Sequence, residues 1–366
     1  MRHIEVDAER FLEIVRVRGV AAAAEACGIS MRTGSRLVRD LRTQGELVEI
    51  KRGRPRGSGD PEESAFRRLR RAPFPYPPML SDEQIRAEYV RLVNAKSFLD
   101  GDVIRPRSNI GLPLCYPFFP NRYTAKSRGN ISAVDAWHDK NALRRAIRLQ
   151  IAYGDPTTPE RVLRAITLQC RTPTIFRPAV AKFICERFAQ PGNLVWDPCA
   201  GYGGRLLGAA AAGVQYIGTD VEPETVDGNR RLAQAVGMQV CVELCAAEDF
   251  VPPTDVALVF TSPPYFDRER YSDDAAQSWR RHGTIETWLR GFLVPVVERA
   301  WRCLRPQGHF VINVADVRSK GVIVPIVAET IRAAVSVGFH HAATLEMPIA
   351  GINRKNPSEP VLVFQK

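Results

Sequence analysis

No apolar run in this 366-residue chain approaches the ~20 residues needed to span a bilayer. The longest, residues 208–214, is alanine-rich, and the N-terminus lacks the apolar core of a signal peptide. Neither a membrane protein nor a secreted one is expected, and the cytoplasm is the expected compartment. Cysteine is scarce and scattered: Cys27, Cys115, Cys170, Cys185, Cys199, Cys241, Cys245 and Cys303 include no Cys-x-x-Cys pair and no zinc-type spacing to histidine. That pattern excludes a disulfide framework and a zinc module, leaving reduced thiols and no implied metal. No segment repeats at a fixed period.

What the chain carries in excess is positive charge. Its 51 Lys and Arg against 40 Asp and Glu give a formal net charge of +11. Residues 1–130 hold 24 basic against 16 acidic side chains, a net of +8, and the rest hold 27 against 24, a net of +3. Net basicity bears on partners rather than fold. A positive N-terminal third suits a polyanion such as nucleic acid; general solubility explains it equally well. A chain of this length favours two or three domains.

In the first fifty residues Phe11, Leu12, Ile14 and Val15, an alanine-rich stretch, and Leu37, Val38 and Leu41 recur at helical spacing. Three short helices fit, the last two joined through Gly28-Ile29-Ser30, where glycine supplies the turn and Ser30 the next cap. Leu47-Val48-Glu49-Ile50 suits one strand of a small wing. Residues 1–58 are thus predicted to form a winged helix-turn-helix. Ser30, Arg32, Thr33 and Arg36 begin its recognition helix, the part that meets base edges in a major groove. Lys51, Arg52, Arg54 and Arg56 follow. Arg52-Gly53-Arg54-Pro55 resembles an AT-hook, whose arginines lie in a narrow minor groove; a basic wing or linker is the equal alternative, and either pairs with phosphates.

Residues 59–80, ending in Pro73-Phe74-Pro75-Tyr76-Pro77-Pro78, read as a basic, proline-rich linker. Residues 81–171 read as a helical middle region, available for target recognition, with strong helical segments at 81–98 and 133–153. From 172 to 366 the pattern changes. Short apolar runs at 194–196, 216–219, 239–242, 256–260 and 308–314 alternate with helical stretches at 204–212, 223–236 and 284–304. That alternation predicts an α/β, doubly wound, Rossmann-like sheet. Runs at 340–347 and 360–364 have no helix between them, so an antiparallel closing pair is expected.

Asp197-Pro198-Cys199-Ala200-Gly201-Tyr202-Gly203-Gly204 follows the first of these strands and opens a helix, where glycines let a ligand approach the backbone and the helix start offers free amides. Alone, this fits an ordinary tight turn as well. Asp220 ends the second strand, where a carboxylate accepts both hydroxyls of a ribose, and Asp249 follows the third, where it reaches an adenine amino group. Either alone fits an exposed loop acid. Three acids at three successive strand ends define a nucleoside pocket along one sheet edge. The fourth strand runs into Ser262-Pro263-Pro264-Tyr265. Two prolines fix the backbone so that the Pro263 carbonyl and the Ser262 hydroxyl can accept hydrogen bonds from an NH2 group, and Tyr265 offers a ring to stack on a planar base. An exocyclic amine is a poor nucleophile because its lone pair is delocalised, so alignment is where rate comes from. A functionless Pro-Pro turn is the alternative.

Over roughly its final half the sequence resembles the DNA amino-methyltransferases, the N4-cytosine and N6-adenine enzymes of the class I S-adenosylmethionine fold. Asp197-Pro198 through Gly203 is similar to that family's cofactor motif and Ser262-Pro263-Pro264-Tyr265 to its catalytic motif. Phe176-Arg177-Pro178 is similar to the helix start before the cofactor loop, and Glu359-Pro360-Val361-Leu362-Val363-Phe364 to the last strand. The cofactor loop departs from the family's Gly-Ser-Gly-Thr by reading Gly201-Tyr202-Gly203-Gly204-Arg205. The resemblance implies S-adenosylmethionine as cofactor, held by Phe176, Arg177, Pro178, Asp197, Pro198, Ala200, Gly201, Gly203, Asp220 and Asp249, with Ser262, Pro263, Pro264 and Tyr265 catalytic. It implies methylation of a base unstacked from duplex DNA. Serine at the first catalytic position favours N4 of cytosine over N6 of adenine. An RNA amino-methyltransferase and a catalytically inactive DNA-binding regulator remain the alternatives; target sequence, oligomeric state and biological role, restriction-modification or regulation, stay open.

Overall fold

The strand and helix alternation from residue 194 onward is realised as a nine-stranded sheet in the computed structural model, which describes Ala26 and residues 60–105, 108–319, 322–349 and 358–366. Ser30, Arg32, Thr33, Arg36, Lys51, Arg52, Arg54 and Arg56, and with them the expected winged helix-turn-helix, lie outside the described residues. In chain order the longer helices are α1 (Pro61–Arg70), α2 (Asp82–Val93), α3 (Lys140–Ala152), α4 (Pro159–Gln169), α5 (Pro178–Phe188), α6 (Gly204–Ala211), α7 (Pro223–Ala235), α8 (Val294–Cys303) and α9 (Ile326–Ser336). The sheet strands are β1 (Phe98–Asp100), β2 (Val103–Arg105), β3 (Leu194–Asp197), β4 (Gln215–Asp220), β5 (Val240–Leu244), β6 (Val256–Thr261), β7 (Leu304–Asn313), β8 (His340–Pro348) and β9 (Ser358–Gln365).

The chain divides into two compact units, one of Met1–Pro75 with Asp135–Gln169, the other of Tyr76–Val134 with Cys170–Lys366. In the first, α1 begins where Asp60 accepts the Glu62 N–H at 3.0 Å, with proline in its first turn. Its buried Phe66 and Leu69 face α3. The Arg144 guanidinium lies 3.9 Å from the Phe66 ring centroid and reaches Glu62 and Glu63 at 3.2 and 2.6 Å. The stretch expected to be linker thus contains a capped, packed helix. The expected middle region also divides differently: residues 76–134 belong with the sheet and supply β1 and β2, while 135–169 fold with α1.

In the second unit the strands lie in the order β1-β2-β8-β9-β7-β6-β3-β4-β5. β3, β4, β5, β6 and β7 are mutually parallel, and β9 runs antiparallel to both β7 and β8. Setting aside the added β1 and β2, this is the strand order of a Rossmann-like class I methyltransferase sheet, with the expected antiparallel last strand. Every residue of β6 is buried, which is why it reads as a continuous apolar run and not an alternating one. Its Leu258 and Phe260 join the core beneath α5 and α6, and its Val259 joins the opposite core with Trp288, Phe310 and Phe364. Among the described residues, no helix is long and apolar enough to cross a membrane.

Candidate active site

β3 pairs with β4 on one side and β6 on the other, so the strand order reverses there, and loops leaving the carboxyl ends of β3 and β6 flank one crevice. The loop after β3 carries the glycine-rich segment; the loop after β6 carries Ser262-Pro263-Pro264-Tyr265.

Gly201 and Gly203 hold φ of +57° and +77°, the left-handed region where a side chain is strained. At Gly203 a Cβ would also sit 2.5 Å from Leu232 and 2.8 Å from the Phe119 ring. The loop is tied to β4: the Ala200 N–H donates to the Thr219 carbonyl at 2.8 Å, and the Gly201 N–H to Asp220 Oδ2 at 2.9 Å. Asp220 Oδ1 accepts the Glu222 N–H at 3.0 Å. Each oxygen keeps lone pairs for a further donor. Burial pushes the Asp220 carboxyl up to about 6. Beside it, Glu222 Oε2 is buried without a hydrogen-bond partner among the described residues.

Asp197 behaves otherwise than expected. Its side chain is 1% exposed; Oδ2 accepts from Arg205 Nε and the Tyr216 hydroxyl, both at 2.8 Å, and Oδ1 from Arg205 at 3.2 Å. Arg205 also donates to the Cys199 carbonyl and lies 5.6 Å from the Phe176 ring centroid. Asp197 therefore braces the loop from within and presents no oxygen to a ligand. The Arg205 that departs from the family pattern is what fills it. Phe176, Arg177 and Pro178 likewise make protein contacts: the Phe176 ring meets Phe260 edge-on at 5.4 Å, Arg177 donates to the Pro348 carbonyl, and Pro178 opens α5. Asp249 pairs with Arg281 at 2.8 Å, with its side chain 57% exposed.

Past β6, Pro263 is buried, and among the described residues nothing donates to its carbonyl. The Ser262 hydroxyl donates to Asn313 Oδ1 at 3.3 Å, and the Tyr265 hydroxyl to the same oxygen at 3.3 Å. Asn313 Nδ2 donates to the Pro360 carbonyl at 2.9 Å, which fixes which way the amide faces. Tyr265 is 5% exposed, and its hydroxyl also lies 3.4 Å from Glu359 Oε2; its backbone N–H donates to Glu269 at 3.3 Å. Burial raises the carboxyls of Glu269 and Glu359 above the usual range. Asn313, Glu269, Glu359 and Arg205 were not assigned to the site from sequence. A signal existed for Asn313, a polar residue closing the apolar run of β7.

Residues 112–130 pack beside the glycine-rich loop. Phe119 meets Tyr202 edge-on at 5.7 Å, Asn121 donates to Thr225 at 2.8 Å, and Lys126–Ser127 pairs with Glu269–Arg270 just beyond Ser262-Pro263-Pro264-Tyr265. Among the described residues no group of three or more His, Cys, Asp or Glu side chains is arranged to hold a metal.

No family model matches the sequence, and no curated protein matches it. Among solved structures the chain is similar to a methyltransferase from Pyrococcus furiosus, at 14% identity over 51% of this chain and 82% of that one, with a TM-score of 0.35. It is similar to a TehB-like SAM-dependent methyltransferase from Corynebacterium glutamicum (16%, 57% and 97%, TM-score 0.36). A third is 1,6-didemethyltoxoflavin-N1-methyltransferase from Burkholderia thailandensis (18%, 52% and 77%, TM-score 0.36). At such identities and TM-scores these likenesses bear on neither substrate nor residue roles.

Proposed function

We propose that the protein methylates an exocyclic amino group of a nucleobase in DNA, N4 of cytosine before N6 of adenine, using S-adenosylmethionine. The observation that carries this is the polarity of the catalytic edge. Asn313 Oδ1 accepts the Ser262 hydroxyl hydrogen, so what the Ser262 oxygen offers the crevice is lone pairs, beside the unengaged Pro263 carbonyl. A set made of acceptors alone suits an NH2 group, which brings two donors, and not a carbonyl.

The residues present fit the cofactor. Gly201, where a Cβ would meet nothing closer than 3.8 Å, leaves room for close backbone approach, Asp220 has lone pairs for ribose hydroxyls, and the unpartnered Glu222 Oε2 awaits a donor. When bound there, S-adenosylmethionine supplies an electrophilic methyl on a sulfonium. Ser262 and Pro263 hold the two N–H bonds of the amine, aiming the nitrogen lone pair into the crevice, so orientation contributes most of the rate. Tyr265 and Asn313 keep Ser262 in its accepting rotamer. The base must leave its stack to reach this site. Residues 1–58 supply the duplex contacts in this reading.

The test is to incubate the protein with labelled S-adenosylmethionine and DNA or RNA, digest to nucleosides and identify the product by mass spectrometry. N4-methylcytosine in DNA is expected. N6-methyladenine would correct the base while keeping the mechanism, label in RNA alone would correct the substrate, and a labelled carbon or hydroxyl would overturn the reading.

A further inference from the structure

Directly after the catalytic motif the chain makes an excursion that the sheet does not require. Phe266 holds φ of +56°, a costly conformation for a bulky residue, and its N–H turns back to the Pro264 carbonyl at 3.1 Å. Glu269–Arg270 then pairs antiparallel with Lys126–Ser127, and the register sets Lys126 directly opposite Arg270. Further on, Trp279 lies under both Arg270 and Arg280, whose guanidinium carbons are 4.6 and 5.5 Å from its ring centroid. Neighbouring arginines are neutralised, Arg128 by Asp267 at 2.7 Å and Arg281 by Glu248 and Asp249 at 2.8 Å each. Arg270 and Arg280 have no carboxylate partner among the described residues. With Phe266, Asp267, Trp279 and Gly283 they line a cleft of about 390 Å³, beginning one residue past Tyr265.

We propose that this cleft seats the nucleotide adjacent to the target base, its base stacked on the Trp279 indole and its phosphate held by Arg270 and Arg280. The inference rests on the nucleic-acid reading of the catalytic motif. When a target base is drawn out of its stack, its neighbour loses one stacking partner; an indole at that place restores the contact and offsets the unstacking cost. A guanidinium stacked on an aromatic face keeps its edge N–H groups free for phosphate oxygens. Electrostatics and stacking thus converge on one nucleotide unit.

The experiment uses the full chain and short single-stranded DNA oligonucleotides with one target base, carrying either normal neighbours or an abasic site on one side of the target. For the wild type, KM is expected to rise about tenfold for the abasic site on one side and to change little for the other. Trp279→Ala is expected to show the raised KM with intact DNA and no further response to the abasic site. Trp279→Phe, which keeps a ring, should retain the response, and so guards against misfolding of the alanine variant. Arg270→Gln with Arg280→Gln should flatten the salt dependence of binding, roughly by 0.7 in the log–log slope per lost phosphate contact. If Trp279→Ala and the wild type respond equally to the abasic neighbours, the subsite is overturned while amino methylation stands. If the wild type labels no nucleic acid, the reading of the active site itself falls.

Discussion

In the proposed reading Asn313 is the residue on which the chemistry of the Ser262–Tyr265 edge turns, because its side-chain carbonyl oxygen accepts from the Ser262 hydroxyl. Asn313→Leu keeps the volume and removes the acceptor, freeing the Ser262 hydroxyl to point its hydrogen at the amine. By analogy with loss of one preorganised polar group, kcat is expected to fall about 100-fold with KM little changed. Steady-state kinetics decides it; an unaltered kcat would mean the Ser262 rotamer is set elsewhere. Asp220 carries a second prediction. Its carboxyl, at about 6 against an ordinary 3.8, is favoured in the protonated form by folding. That contribution to stability is complete below 3.8 and is lost as pH rises through about 6. Ribose hydroxyls need the ionised form, so cofactor affinity should climb across the same interval, roughly tenfold from pH 5 to pH 8. Asp220→Asn should bind weakly with no such slope in calorimetry. A slope that survives the substitution would assign the titration to another group. That Asp220 ends a strand and that Ser262 through Tyr265 follow one was legible in the sequence because turn chemistry and strand ends are local. That Asp197 is turned inward onto Arg205 and Tyr216 was not legible, because Tyr216 arrives from the neighbouring strand, a contact that no spacing reveals.

At the scale of elements, α5 and α6 meet through a glycine. A Cβ at Gly208 would lie 2.4 Å from Ala181 Cβ and 2.5 Å from the Lys182 nitrogen, so the helices touch backbone to backbone. Gly208→Ala gains helix propensity, but overpacking of this kind typically costs ~1–3 kcal/mol, and the balance should be destabilising. A lower melting temperature is expected; an unchanged or higher one would mean that the helices slide apart freely. The strands from 194 to 365 stood out in the sequence since buried parallel strands read as short β-branched runs between helices. The helix expected at 284–304 is present as one continuous helical run from Ile285 to Cys303, with a wider π turn at Leu289–Leu293 between Ile285–Trp288 and α8. Helix α1 escaped notice despite Asp60, Pro61, an acidic first turn and a basic last turn, because only two large apolar residues, Phe66 and Leu69, mark its buried stripe. The three-residue strands β1 and β2 are too short to leave a period.

For the whole molecule, the uneven charge sets the expectation. Deleting residues 1–58 should leave cofactor binding intact, since Asp220 and the glycine-rich loop lie elsewhere, while weakening DNA affinity and flattening its salt dependence. Calorimetry and fluorescence anisotropy at several salt concentrations measure both; equal DNA affinity in the shortened protein would remove the N-terminal region from the interface. The order of the sheet has a consequence of another kind, for how the chain comes to be made. β9, the last strand in sequence, lies between β7 and β8 and pairs with both, Val363 standing across from Val311 on one side and Ala343 on the other. A growing polypeptide that has passed residue 348 owns every other strand yet has nothing to join β8 to β7. Until residues 358–365 leave the ribosome, Phe310 and Val311 face an open edge of the kind that pairs with strangers. The interior of this sheet is thus completed after both of its flanking strands have been made, and a nascent chain stalled just short of that point is expected to engage chaperones.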